Sequence, residues 1–202
     1  MEENPGLRER KKAATRIALH EAALRLAVRD GLDRVTVEAI ADAANVSRRT
    51  FSNYFSSKEE AIYHGDAMRL HRILQLVREQ PAGDHPWAAL SHAAETFTNE
   101  LGSKANMAWL LQRTKLRRHP GLVAQQMLAY GVIERDLVSA LAQRMSGGDV
   151  ELRSRLLAAT FLTTLRVAIQ QWHEHPDDGP ILDVVRLAMA EAAPVSGLAA
   201  ST

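Results

Sequence analysis

The sequence predicts an all-α fold, and three observations carry that reading. Apolar residues recur at helical spacing almost throughout, and no alternating run of β-branched residues bounded by turn signals reads as a strand. The seven prolines, at 5, 81, 86, 120, 176, 180 and 194, all flank helical stretches or lie in loops. The expected architecture is nine helices: an N-terminal three-helix helix-turn-helix domain and a larger C-terminal helical body.

The first helix spans 9–30 and stops at Gly31. No proline lies between Gly6 and Gln80, so Gly31, Asn45 and the Ser56-Ser57 pair must supply the breaks. They cut out short helices at 37–44 and 48–54 ahead of a long one at 58–80. Helices at 87–101, 104–118, 121–145, 150–173 and 181–193 follow. The loop 81–86, the break His119-Pro120-Gly121, the stretch 146–149 and the segment 176–180 separate them. The residues after Pro194 are small and polar, so the tail is expected to fray. This gives a helix-turn-helix domain at 1–58, a ligand-binding and dimerisation domain at 59–194, and a flexible tail at 195–202.

At 202 residues the chain can bury a sizeable core. It has no cysteine, which excludes disulfide scaffolds, thiol catalysis and zinc-finger clusters. Charged residues make up 24%, and no apolar run is long enough to cross a bilayer. The start, MEENPGLRERKK, lacks the apolar stretch of a secretory signal, so a cytoplasmic protein with no membrane partner is expected. The net charge of +1 hides an asymmetry. From Leu7 to Lys58 there are eleven basic residues against six acidic, and elsewhere fourteen against eighteen. A basic end on an acidic body suggests a polyanion-binding module.

The stretch Thr36–Lys58, TVEAIADAANVSRRTFSNYFSSK, holds two short helices joined by a tight turn. The Thr36 hydroxyl can cap the first, in which Val37, Ile40, Ala41 and Ala44 fall at i, i+3, i+4 and i+7 and form one inward face. Asn45 takes the corner, because asparagine tolerates the left-handed conformation best after glycine, and Val46 plugs it. Ser47 caps the second helix, which turns Phe51 and Phe55 to the core with Tyr54 at the edge of that side. The outward face then carries Arg48 with Ser52 and Arg49 with Asn53, two i, i+4 pairs. In a DNA major groove arginine matches the two acceptors of guanine and asparagine matches adenine, each bidentate contact giving about 1–3 kcal/mol of discrimination. Ser57 and Glu60 have capping-box spacing, which starts the next helix and sets Lys58 beside a phosphate backbone. A merely solvated arginine face would not require caps, corner, core pattern and flanking charge to agree. The basic run Arg8–Arg16 reads either as an arm reaching a groove or phosphate, or as a solvated helix start.

The segment LRLAVRDGLDRVTVEAIADAANVSRRTFSNYFSSKEEAI resembles the DNA-binding domain of the TetR/AcrR transcriptional regulators. The spacing agrees from Ala22-Ala23 through Gly31, Thr36 and Ile40-Ala41 to Tyr54-Phe55 and Ser57-Lys58, over roughly a quarter to a third of the chain. The resemblance implies a homodimer whose third helix reads the major groove, with Thr36, Tyr54 and Lys58 holding phosphates. Arg48, Arg49 and Asn53 occupy the base-reading face, and Ser47, Thr50 and Ser52 complete the expected DNA-binding set. The chain departs from the family pattern at Asn45 (commonly glycine), at Ala27 (often a larger aromatic) and at Ser52. At Ser52 an aromatic often touches the backbone, so that aromatic's phosphate or methyl contact is not carried over, while the reading surface remains.

In the body, Leu156–Ala168 and Ile181–Met189 are apolar on nearly every face and need burial on two sides. One side is the core. The other is expected to be a second subunit in a four-helix contact, with Leu157, Thr164, Ala168, Trp172, Val185 and Met189 at the interface. Two recognition helices would then reach successive major grooves about 34 Å apart on a palindromic double-stranded DNA operator, with helix 58–80 as the lever. An unidentified small-molecule effector that prefers the DNA-incompetent spacing would release the operator. Its candidate contacts are Phe97, Met107, Trp109, Met127, Tyr130 and Phe161, with Arg113 for an anionic group; such residues also serve as plain core. Lys115, Arg117, Arg118 and His119 complement a helix C-terminus without any ligand. His64 with His71, and His173-Glu174-His175, lack the spacing of a closed metal site. No glycine-rich phosphate loop, nucleophile elbow or convergent carboxylate set is present, so no metal, cofactor or catalytic residue is expected. The sequence therefore reads as a ligand-responsive dimeric repressor. The alternative is a helical ligand-binding or adaptor protein whose helix-turn-helix does not read DNA.

Overall fold

The computed structural model describes residues 6–101, 116, 119–175, 177 and 179–193. Among them the chain forms eight α-helices and no strand: α1 Leu7–Asp30, α2 Val37–Ala43, α3 Arg48–Ser52, α4 Lys58–Glu79, α5 Pro86–Leu101, α6 Pro120–Ala142, α7 Val150–Glu174 and α8 Ile181–Ala192. The expected helix at 104–118 and the tail lie outside the described residues, apart from Leu116. Two helices open on a proline, Pro86 and Pro120, where the missing N–H would have had no helical partner. A short 3₁₀ turn, Leu32–Arg34, adds to the expected elements; it follows Gly31, whose φ of 85° ends α1. No helix among the described residues is long and apolar enough to cross a membrane.

By its internal contacts the chain divides into two compact units, Met1–Met68 with Gln112–Met127, and Arg69–Leu111 with Leu128–Thr202. The first is built on Leu19, Ala22, Ala23 and Ala27 of α1, Ile40 and Ala41 of α2, Phe51 and Phe55, and Ala61 and Ile62 of α4, all buried. Small side chains on α1 let the short helices approach closely. Gly121, near the start of α6, is there for the same reason: a Cβ at that position would stand 2.9 Å from Cγ of Glu59.

The second unit buries one continuous core, including Leu90, Phe97, Leu137, Leu141, Phe161, Leu165 and Val185. Each such side chain contributes about 1.5–3 kcal/mol by leaving water. Polar side chains tie its helices together over long sequence separations. The Arg144 guanidinium donates to the carbonyls of Val77, Gln80 and Pro81 at 2.9, 2.7 and 2.6 Å, closing the end of α4. The indole N–H of Trp87 reaches the Met189 carbonyl, and Arg72 forks the Glu100 carboxylate.

Leu157, Ala168, Trp172, Val185 and Met189 are buried in this core and Thr164 is half-buried, so the side chains expected at a subunit interface form the inner stripe of α7 and α8. The large apolar side chains left exposed on these helices are Leu152, Leu156, Val167 and Leu187. A helix that is apolar all round gives no periodic signal to say which stripe faces inward.

Candidate nucleic-acid interface

The first unit assembles its short helices by local bonds. The Thr36 Oγ1 accepts the Ala39 amide at 3.2 Å and caps α2. At the other end Asn45 sits at φ 60°, with its amide bonded to the Asp42 carbonyl and the Val46 amide to the Ala41 carbonyl. That pair of bonds is a Schellman closure with asparagine where glycine is commoner. Ser47 Oγ accepts the Thr50 amide at 3.0 Å to cap α3 and pairs with the Thr50 hydroxyl at 2.8 Å.

Helix α3 ends at Ser52, two residues before the expected limit, and a turn carries Asn53 and Tyr54. Phe51 and Phe55 are buried with ring centroids 5.8 Å apart. Arg48, Arg49, Ser52 and Asn53 are all exposed, and Thr50 and Tyr54 are half-buried. The expected outward face therefore exists as a patch of polar and cationic groups on an anchored helix. Its members are not all idle. Arg48 Nη1 lies 2.9 Å from Oε1 of Glu38, and the Ser52 hydroxyl donates to the Arg48 carbonyl at 3.2 Å. Arg16 of α1 donates to the Tyr54 carbonyl at 3.4 Å and lies over the Tyr54 and Phe55 rings, which braces the end of the patch.

Two details differ from expectation at the start of α4. The Ser57 hydroxyl accepts the Glu60 amide at 3.1 Å, but the Glu60 carboxylate returns to the amide and hydroxyl of Ser56, at 2.7 and 2.6 Å, instead of the Ser57 amide. Lys58 is half-buried, and its ammonium donates to the carbonyls of Leu32 and Val35, both at 2.9 Å. Two of its three protons thus close the 3₁₀ turn, which leaves one for an outside acceptor.

The structure also defines a feature at the start of α1. The basic run of α1 is helical from Leu7, and Arg8, Lys11, Lys12 and Thr15, together with Leu7 and the acidic Glu9, form one wall of an open groove of about 710 Å³. Thr50, Asn53 and Tyr54 form the other wall. The spacing of 8, 11, 12 and 15 was the available signal, because residues three and four apart share a helix face.

The candidate effector contacts scatter. Phe97 and Phe161 belong to the core of the second unit, and Tyr130 packs against it. Met127 belongs to the first unit and is 69% exposed. Met107, Trp109 and Arg113 lie outside the described residues. His119 is engaged, with Nε2 on the Asp33 carboxylate and Nδ1 accepting the Gly121 amide.

Known proteins resemble this arrangement in both halves of the chain. The family described as "Bacterial regulatory proteins, tetR family" matches residues 19–61, and the "MftR C-terminal domain" matches residues 84–196. The HTH-type transcriptional regulator TcmR of Streptomyces glaucescens is 32% identical over 180 residues, 86% of this chain and 79% of that protein. Among solved structures, the Thermus thermophilus repressor FadR in complex with lauroyl-CoA is similar with a TM-score of 0.53 and 22% identity, over 88% of this chain and 92% of that one. SmeT of Stenotrophomonas maltophilia, in complex with triclosan, has a TM-score of 0.57 and 18% identity over 90% and 91%.

Proposed function

The chain belongs to the TetR family of bacterial regulatory proteins, a family of transcriptional regulators and not of enzymes, and from that membership we propose how it acts. It is a homodimeric repressor that holds a palindromic operator and lets go when a small molecule binds its helical body. The observation that carries this reading is the polarity of α3. Phe51 is 1% exposed while Arg48, Arg49, Ser52 and Asn53 all face water, so the helix presents its base-matching groups on a fixed mount.

The roles divide by chemistry. Arg48, Arg49 and Asn53 read base edges, and Ser52 contacts the adjacent backbone. Thr36, Thr50, Tyr54 and the remaining Lys58 proton meet phosphates, while Ser47 acts through its cap. Arg8, Lys11 and Lys12 extend the cationic surface along α1. The second copy covers the outer stripe of α7 and α8, where Leu152, Leu156, Val167 and Leu187 stand exposed on two neighbouring helices.

The effector is a largely apolar small molecule held among the helices of the second unit, with Phe97, Tyr130 and Phe161 as candidate walls. Two proteins of the same fold are found with ligands that carry an apolar part: lauroyl-CoA, with its acyl chain, in the Thermus FadR, and triclosan in SmeT. Binding shifts the dimer towards a spacing of its reading heads that no longer fits successive grooves.

A genome-wide footprint of the tagged protein in its own host tests the proposal, with an Arg49→Ala/Asn53→Ala variant as control. A few sharp, symmetric sites that vanish in the variant support it. The same diffuse background from both proteins would favour an adaptor whose helix-turn-helix is only scaffold.

A further inference from the structure

Arg48 is held by a carboxylate. Its Nη1 lies 2.9 Å from Oε1 of Glu38 in the first turn of α2, whereas neighbouring Arg49 has no ion-pair partner among the described residues. Both side chains of the pair are open to water, 73% and 54% exposed, so the contact is of a kind that contributes about 0–1 kcal/mol to stability. A carboxylate on the face turned to DNA is unfavourable beside phosphates, so its place in the first turn of α2, where the helix dipole favours a negative group, comes at a cost to DNA affinity.

The geometry of the contact supplies a reason. It engages one terminal nitrogen and leaves Nη2 and Nε, the side edge of the guanidinium. That edge carries two parallel N–H donors, which is what the O6 and N7 acceptors of guanine require. Holding Nη1 also removes rotamers from a long side chain before DNA arrives, so less freedom is lost on binding.

We propose that Glu38 is a positioning residue for DNA recognition, holding Arg48 side-on for a guanine and, by its charge, keeping Arg48 from settling on a phosphate of non-cognate DNA. This rests on the reading of α3 as the base-contacting helix. Glu38 lowers affinity for any duplex and raises the preference for guanine at one position of each half-site.

Selection from randomised duplexes tests this with the full-length wild type and the variants Glu38→Gln, Glu38→Asp and Arg48→Ala, each checked for an unchanged circular-dichroism melting curve. The wild type enriches a guanine at one position per half-site, and Arg48→Ala loses it. Glu38→Gln keeps the shape without the charge; it binds random duplex more tightly, and its preference for that guanine falls about fivefold or more. Glu38→Asp keeps the charge on a stem one methylene too short, and shows the same fall. A Glu38→Gln protein with uniformly higher affinity and unchanged guanine preference overturns the proposal, leaving plain charge repulsion. So does a guanine preference that survives Arg48→Ala. A wild type that enriches no motif overturns the base-reading proposal and this inference with it, a failure distinct from one confined to Glu38.

Discussion

Nε2 of His119 lies 3.0 Å from Oδ1 of Asp33, a hydrogen bond that spans 86 positions of sequence to reach the 3₁₀ turn ahead of α2. The other ring nitrogen accepts the Gly121 amide at 3.2 Å, so a neutral imidazole carries its proton on Nε2 and donates it to the carboxylate. Lys58 grips the same turn through the Leu32 and Val35 carbonyls. The turn that fixes where Thr36 begins α2 is thus pinned by side chains from two other elements of the first unit.

Asp33 titrates below the usual aspartate range, because the hydrogen bond and charge of His119 favour its carboxylate and Lys58 adds to them. A carboxyl lowered in this way stabilises the fold above its unfolded pKa, and the contribution is lost as the pH falls through the lower folded value. His119→Ala should raise Asp33 towards the ordinary range in a carboxyl-carbon NMR titration, Lys58 still lowering it, and make the acid limb of the stability curve shallower. An Asp33 titration indifferent to the substitution would contradict the pinning.

Lys58 should show two separable effects. Lys58→Met leaves two half-buried carbonyls without their donor, which should lower the unfolding free energy by about 1–2 kcal/mol in denaturant titrations. It should also weaken operator and random duplex alike and flatten the salt dependence of binding by about one phosphate. Unchanged stability would mean that the carbonyl contacts are incidental.

The reading head was legible because its determinants are local. Thr36 to Ala39 and Ser47 to Thr50 are caps that span three residues, and the Asn45 corner needs only one permitted backbone conformation. What was not legible acts across distance or without a period. Lys58 meets carbonyls 23 and 26 positions away, and Glu38 meets Arg48 across the corner, so neither pairing has a spacing to recognise. On α7 the inner and outer stripes could not be told apart by pattern, because Leu152, Leu156 and Val167 differ from Leu157 and Leu165 in facing and not in chemistry.

The α1 wall of the groove should behave as a phosphate contact. Replacing Lys11 and Lys12 together by alanine is expected to weaken all duplexes by a common factor and reduce the salt slope by about two, at about 0.9 per phosphate. Sequence preference should not move. A salt slope equal to that of the wild type would assign the run to solvent.

The outer stripe of α7 and α8 predicts the assembly. Leu156 and Leu187, at 58% and 63% exposure, are the side chains to change. Leu156→Asp and Leu187→Asp should each convert a dimer to monomers in sedimentation equilibrium, while the monomer keeps the helical circular-dichroism spectrum of the wild type because neither residue lies in its core. Wild-type monomers, or dimers that survive both substitutions, would place any interface elsewhere.

The central claim is that α3 reads sequence. Its most direct measurement is the ratio of affinities for a selected operator and a shuffled duplex at physiological salt, for the wild type and for Arg49→Ala/Asn53→Ala. The wild type should favour its operator by about 10³-fold or more, and the variant should lose at least about tenfold of that ratio while binding the shuffled duplex nearly as before. A ratio near one in the wild type, or the same ratio in both proteins, would contradict it.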